Sequence, residues 1–285
     1  MQLDKFKQQI ADAYDRRHDT YDRGGEDNWH YQLACSLVEC ADIRQGQKVI
    51  DLATGTGMVA IEAAKKVGDA GEVVGIDISP KLLEVARQKI DRQNLNNIVK
   101  LQLADIETLD FVPDSCDRIL CCSALPLLTD VPADLRLWHS LLAPGGKLGL
   151  CVFAETAFVH GVVLQKVAQQ HGIKIVMSDL TGTKAKCRSL LETAGYTDIK
   201  ITTKQYGSYI NLEPSAEKSW DVSLQHPHCF PLLELGSLEL ARAKAEYIEG
   251  LEALVTDRGI WNDITTYFVI GTKIINKGKL DLLHK

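Results

Sequence analysis

Residues 49–64 read VIDLATGTGMVAIEAA. A short strand-type run containing Asp51 gives way to two glycines one residue apart, Gly55 and Gly57, and then to a helix-type stretch from Met58. Strand, glycine turn and helix in this order form the local unit that holds nucleotides in open α/β sheets, where ligands lie outside the carboxyl ends of the strands. Glycine lets backbone approach a ligand without a Cβ in the way. Taken alone, GTGMVA fits GxGxxG/A, a short pattern that also serves NAD and FAD.

Outward from this turn the chain alternates. Strand-type runs at Lys48–Leu52, Glu72–Ile76, Ile98–Leu103, Arg118–Cys122 and Lys147–Phe153 are interleaved with helical patterns at Met58–Val67, Pro80–Gln93 and Ala133–Leu142. Ser79 is placed to cap the second of these helices, with Pro80 at its first position, where a missing N–H costs nothing. Leu82, Leu83, Ala86 and Ile90 fall on one face of it. The turn APGG is expected to separate the third helix from the strand that follows. Helices at Phe158–His171 and Lys184–Thr193 and strands at Asp198–Thr203 and Ile264–Lys273 bring the strand count to seven. The expected fold is α/β: a Rossmann-like, seven-stranded, mostly parallel sheet with helices on both faces. The expected division is a helical lid at 1–45, a core at 46–203, an inserted cap at 204–263 containing a helix near Ser237–Val255, and a last core strand and tail at 264–285. The basic tail Lys273–Lys285 suits a frayed end.

With 285 residues, 45% apolar and 25% charged, the composition is that of a soluble globular protein. A net charge of −6 without a basic stripe speaks against nucleic-acid binding. The N-terminal run MQLDKFKQQIADAYD lacks a signal-peptide core, and no run approaches a membrane span, so the expected location is cytoplasmic. The eight cysteines form no CxxC pair and several sit in apolar runs, which suits reduced core thiols. HPHC at His226–Cys229 has no fourth ligand nearby, so no metal is expected. Cys121 and Cys122 are successive strand residues facing opposite sides, so they do not chelate together. Trp220, Phe230, Trp261, Tyr206, Tyr209 and Tyr267 in the later half suit either an apolar substrate pocket or ordinary packing.

Three acids narrow the choice of nucleotide. Asp51 stands just before the loop, where it would repel a pyrophosphate and attract an ammonium group. Asp77 closes EVVGID, a place suited to a ribose diol and shared with NAD sites. Asp105 follows the third strand, where it can accept from an adenine amino group, with Ile78 and Ile106 set to sandwich the ring. Ammonium, ribose and adenine without phosphate describe S-adenosylmethionine.

The segments QGQKVIDLATGTG (45–57), VVGIDIS (73–79), LQLADIE (101–107), FVPDSCDRILCCSAL (111–125) and LLAPGGKLGL (141–150) resemble the class I S-adenosylmethionine-dependent methyltransferases. In detail they are similar to the small-molecule enzymes akin to the ubiquinone/menaquinone C-methylases. AYDRRHDTYD (13–22) and WHYQLA (29–34) are similar to that group's entry segment. The likeness covers Ala11–Phe153 and loosens beyond it. It implies that Asp51, Ala53, Gly55 and Gly57 surround the methionine part of S-adenosyl-L-methionine. Ala53 and Thr54 stiffen a loop that more often reads GxGxG. Asp77 and Ile78 would hold the ribose and one adenine face, Asp105 and Ile106 the adenine, and Cys122 and Ser123 the methyl end. Tyr14 or Tyr21, the latter better spaced, would close over the cofactor.

The implied activity is methyl transfer to a small-molecule acceptor, with O- or C-methylation favoured over N-methylation, in quinone-like or secondary-metabolite biosynthesis. Such a displacement needs positioning more than a catalytic residue. Where a base is used, His30 and His160 are the candidates for the catalytic site, though a packing position suits each of them better. A homodimer is one role open to the long amphipathic cap helix. Two alternatives stay open: an NAD(P)-dependent oxidoreductase, and a protein of this fold that binds the cofactor without transfer.

Overall fold

The computed structural model describes residues 3–25, 28–212 and 216–274. The tail at 275–285 lies outside them. Nine α-helices in the described residues are α1 (Lys5–Asp15), α2 (Trp29–Cys40), α3 (Met58–Val67), α4 (Pro80–Arg92), α5 (Val131–Leu141), α6 (Val159–Gln170), α7 (Lys184–Thr193), α8 (Ala216–Ser223) and α9 (Ser237–Glu252). The strands are β1 (Lys48–Leu52), β2 (Glu72–Asp77), β3 (Val99–Leu103), β4 (Cys116–Cys122), β5 (Leu142–Phe153), β6 (Thr197–Gln205), β7 (Ser208–Ile210), β8 (Ile260–Asn262) and β9 (Thr265–Thr272).

Seven strands form one sheet in the order β3-β2-β1-β4-β5-β9-β6. β1 is paired in parallel with β2 on one side and β4 on the other. The chain first steps outward from β1 through β2 to β3, then returns to place β4 against β1's free edge. That reversal is a topological switch point, the usual mouth of a ligand cleft in such sheets. β1 buries Val49 to Leu52 without a break, as expected of a strand covered on both faces. The cap of α4 is as expected: the Ser79 side chain accepts from the Leu82 N–H, and Pro80 opens the helix.

The described residues form two compact units, one of those within 3–151, 184–202 and 268–274, the other of those within 152–183 and 203–267. The expected cap at 204–263 is therefore joined by 152–183, which the sequence reading placed in the core. Packing is the reason. α6 brings Val163, Leu164 and Val167 into one apolar cluster with Ala243, Tyr247 and Leu251 of α9. Gly250 makes this approach possible, since a Cβ there would stand 2.9 Å from Val163 Cγ1.

Other departures are local. APGG does not end the ladder: Leu142 pairs with Cys116 and Lys147 with Arg118, five residues of β5 against two of β4. The glycines there build a bulge within the strand, with Gly145 at φ +82°. The β7–β8 ladder was not expected. Tyr209 and Trp261 face each other across it with tilted rings, centroids 5.1 Å apart, and are about 40% exposed, whereas Trp220 is 2% exposed in the apolar cluster. Among the described residues, no helix is long and apolar enough to cross a membrane, and no three His, Cys, Asp or Glu gather as metal ligands.

Candidate active site

A cleft of about 720 Å³, open mouth included, lies within the first unit. It is lined at the carboxyl ends of four neighbouring strands: Ala53 and Gly55 after β1, Asp77 and Ile78 at the end of β2, Asp105, Ile106 and Glu107 after β3, and Cys122 and Ser123 at the end of β4. The N-terminal segment adds Lys7, Ile10, Tyr14 and Tyr21.

The β1 loop passes through left-handed backbone at Ala53 (φ +52°), Gly55 (φ +55°) and Gly57 (φ +79°). For Ala53 this is an uncommon conformation, of the kind that gathers at ligand sites. Gly57 is also crowded, because a Cβ there would sit 3.1 Å from Ala86 Cβ. Gly55 faces open space save Leu82 Cδ1 at 3.9 Å. Thr54 donates its N–H to the Ile76 carbonyl at 2.9 Å, and its hydroxyl donates to Asp51 Oδ2 at 2.5 Å. Gly75 leaves room for this hydroxyl, since a Cβ there would meet it at 2.9 Å.

Asp51 and Thr54 are thus coupled to the loop and do not line the cleft themselves, and neither does Gly57. Asp51 is 1% exposed, and its Oδ1 has no hydrogen-bond partner. Burial pushes its carboxyl up to about 7, against the pull of the Thr54 hydroxyl. Asp77 does line the cleft. Its Oδ2 accepts from the Gly55 N–H and its Oδ1 from the Ser79 N–H, both at 2.8 Å. Burial raises it to about 6, opposed by these N–H groups.

Asp105 has a partner that the sequence did not announce. Lys7 Nζ stands 2.5 Å from its Oδ2 and 3.3 Å from Glu107 Oε1. Burial lowers the Lys7 pKa, but Asp105 and Glu107 outweigh it and hold the ammonium charged. The carbonyl of Ile106 is fixed by the fully buried Trp138 indole N–H at 3.2 Å. Ser123, at φ +62°, turns the chain out of β4 beside Cys122.

Lys7 belongs to a wider pattern. Residues 3–25 are fastened to the loops after β1, β2 and β3 in turn. Asp22 accepts from the Thr56 hydroxyl at 2.6 Å and from Lys89 Nζ at 2.7 Å. Asp15 accepts from the Ser79 hydroxyl at 2.5 Å and the Lys81 N–H at 3.2 Å. Lys7 completes the set at Asp105. Tyr14 and Tyr21 both face the cleft, and the Arg17 guanidinium lies 5.5 and 5.7 Å from their ring centres. Lys7 and Ile10 share the Tyr14 face at helical spacing, a signal the sequence itself carries.

Neither histidine candidate lines this cleft. The His30 ring packs on Tyr21 at 4.9 Å, and its Nδ1 lies 3.0 Å from Asn28 Oδ1. Burial, helped by Arg17, lowers it to about 4. His160 lies in the second unit, Nδ1 3.0 Å from the Tyr247 hydroxyl, which is in turn 3.1 Å from Ser219 Oγ. Burial lowers its pKa.

The cleft chemistry fits a zwitterionic nucleoside better than a diphosphate. Its lining sets three carboxylates, Asp77, Asp105 and Glu107, against one ammonium, Lys7, which Asp105 and Glu107 already engage. Asp51 Oδ1 carries no hydrogen bond of normal geometry, although the Ala60 N–H joins the Thr54 hydroxyl in pulling on this carboxyl.

A family model described as a methyltransferase domain matches residues 43–195. The chain is 33% identical over 148 residues to the aklanonic acid methyltransferase DauC of Streptomyces sp. (strain C5), covering 52% of this chain and 66% of that one. It is 32% identical over 150 residues to the ubiquinone/menaquinone biosynthesis C-methyltransferase UbiE of Edwardsiella ictaluri, covering 53% and 58%. The matched stretch thus spans less than two thirds of either relative. Among solved structures, the Haemonchus contortus phosphoethanolamine N-methyltransferase 2, crystallised with phosphomonomethylethanolamine and S-adenosylhomocysteine, shares the fold. Its TM-score is 0.57 at 16% identity, with 95% of this chain and 61% of that one covered.

Proposed function

This chain belongs to the methyltransferase-domain family, and from that premise we propose that it transfers a methyl group from S-adenosyl-L-methionine to a small-molecule acceptor. One observation carries the reading: acidic residues at the ends of consecutive strands surround a single cleft, with Asp51 buried beside its loop. Asp77 holds the ribose diol, since each of its oxygens keeps a lone pair after accepting one backbone N–H. Ile78 and Ile106 flank the adenine, and Asp105 takes its amino group while keeping Lys7. Ala53 and Gly55 face the amino-acid end, with Asp51 behind them and tied to the loop through Thr54, and Cys122 and Ser123 face the methyl end. Tyr14 and Tyr21 close the cleft against water.

When bound, the cofactor supplies a methyl group on a sulfonium that leaves as a neutral thioether without acid or metal. The protein's own task is therefore alignment, an effect worth about 7–11 kcal/mol where it is complete. His30 is a poor base at neutral pH, and its contact with Tyr21 suits it to positioning that ring. His160 lies outside the cleft lining. The similarity to a C-methyltransferase of quinone biosynthesis and to an aklanonic acid methyltransferase favours an O- or C-acceptor of quinone-like or secondary-metabolite type. A cytoplasmic setting suits eight unbridged cysteines.

The test is incubation with methyl-labelled S-adenosylmethionine and fractionated small-molecule extracts. Label entering an organic product, with S-adenosylhomocysteine formed in step, is the expected result. Intact cofactor across all fractions, from a protein that binds it, would favour the non-transferring alternative.

A further inference from the structure

β4 and β5 set two thiols side by side at one end of the cleft. Cys122 and Cys151 are register partners on these parallel strands. Neighbouring strands stand about 4.8 Å apart with register partners on one face, and disulfides span Cα separations of about 4.4–6.8 Å. Ser123 Oγ lies 3.7 Å from Cys122 Sγ and 3.8 Å from Cys151 Sγ, so one hydroxyl stands against both thiols. Cys121 registers with Leu150 and faces the other side, so the pair adjacent in sequence is not the pair in space. Cys122 is half-buried and lines the cleft, while Cys151 is fully buried. A reagent therefore meets the pair at Cys122, from the cleft.

We propose that Cys122 and Cys151 are a redox-active dithiol, and that a small disulfide of the glutathione class closes them into a bond that disables the cleft. The Cys122 thiolate attacks one sulfur of glutathione disulfide, breaks its S–S bond and releases one glutathione thiolate. Cys151 yields its proton to solvent and attacks Cys122 Sγ, expelling the second glutathione thiolate. The protein loses two electrons, and the glutathione disulfide gains them. The order of attack follows from access and from burial, which holds the Cys151 thiol well above its ordinary value. The bond draws Cys122 Sγ out of the wall and locks the Ser123 turn beside it. That this impairs cofactor binding rests on the function proposed above; the disulfide itself does not.

The full chain is equilibrated with graded glutathione disulfide, free thiols are alkylated, and tryptic peptides are mapped. The expected product links peptides 119–136 and 148–166, with fragmentation placing the bond at Cys122. It reverses with dithiothreitol, is kept in Cys121→Ser, and is lost in Cys122→Ser and Cys151→Ser. S-adenosylhomocysteine slows its formation, and the oxidised protein binds that ligand about tenfold or more weakly. A lasting glutathione adduct on Cys122 without the link, a link at other cysteines, or no modification overturns the dithiol. Unchanged affinity in the oxidised protein overturns the disabling effect. A link that forms in a protein with no affinity for S-adenosylhomocysteine leaves the dithiol standing and removes the methyltransferase reading.

Discussion

In the first unit, residues 3–25 meet three strand-end loops through a handful of polar contacts: Lys7 with Asp105, Asp15 with Ser79, Asp22 with Thr56 and Lys89. In the second unit, α6 and α9 meet through an apolar cluster in which Leu164, Ala243, Tyr247 and Leu251 are nearly sealed from solvent. The two designs differ in what they specify. A few directional contacts fix where side chains stand around a cleft. Non-directional burial supplies cohesion and says little about ligands. Chemistry is therefore readable in the first unit, and packing in the second.

The largest break in this contrast is Gly57→Val. It forces a β-branched residue to φ +79° and drives Cβ toward Ala86. Calorimetry should show S-adenosylhomocysteine binding weakened by about 100-fold, the scale of 1–3 kcal/mol of backbone strain with crowding added. Gly55→Ala, which meets only Leu82 at 3.9 Å, should lose less. Equal losses would mean that backbone angle alone governs the loop.

Asp51→Asn comes next and sharpens the contrast through pH. Asp51 and Asp77 are raised from 3.8 to about 7 and about 6. The folded protein thus keeps protons that the unfolded chain releases. Their contribution to stability is full below about pH 4 and is lost as pH rises through 6 and 7. Binding of an ammonium-bearing ligand runs the other way, because it needs the ionised carboxylates. Between pH 5.5 and 7.5, S-adenosylhomocysteine affinity should rise while these two groups' contribution to apo stability falls. Asp51→Asn should flatten both trends, cost about tenfold in affinity at pH 8, and leave apo stability at pH 8 no lower. Calorimetry and thermal melts across pH measure the pair of slopes, and a parallel rise of both contradicts the assignment.

What the sequence made visible follows the same contrast. β1 and α3 were legible to the residue because one strand-turn-helix unit carries its own punctuation, and Ser79 and Pro80 marked α4 in the same local way. The bulge in β5 was not, because APGG reads as a turn until the distant Cys116 claims Leu142 as a partner. β7 and β8 are three residues each and meet across about fifty residues of chain, too short and too distant for periodicity to register. Of the candidate site residues, those at strand ends gather around the cleft. Asp51 instead stands beside the loop, and His30 packs on Tyr21. Lys7 went unnoticed because a helical lysine reads as solvated; its partner lies 98 residues away.

Smaller effects probe each design separately. Asp22→Asn or Lys7→Met should speed S-adenosylhomocysteine release about fivefold in stopped-flow measurements, as expected for part-exposed ion pairs. An unchanged off-rate would make these contacts ornamental. Tyr247→Phe removes the hydroxyl shared with His160 and Ser219. It should cost about 1 kcal/mol in urea unfolding, and a loss several times larger would show that the second unit depends on its polar contacts after all.

Calorimetric titration of the unmodified protein with S-adenosylhomocysteine, and in parallel with NADH, tests the central claim most directly. Saturable one-to-one binding of the phosphate-free nucleoside, with no heat from the dinucleotide, is the predicted result. Binding of NADH with none of S-adenosylhomocysteine would contradict it.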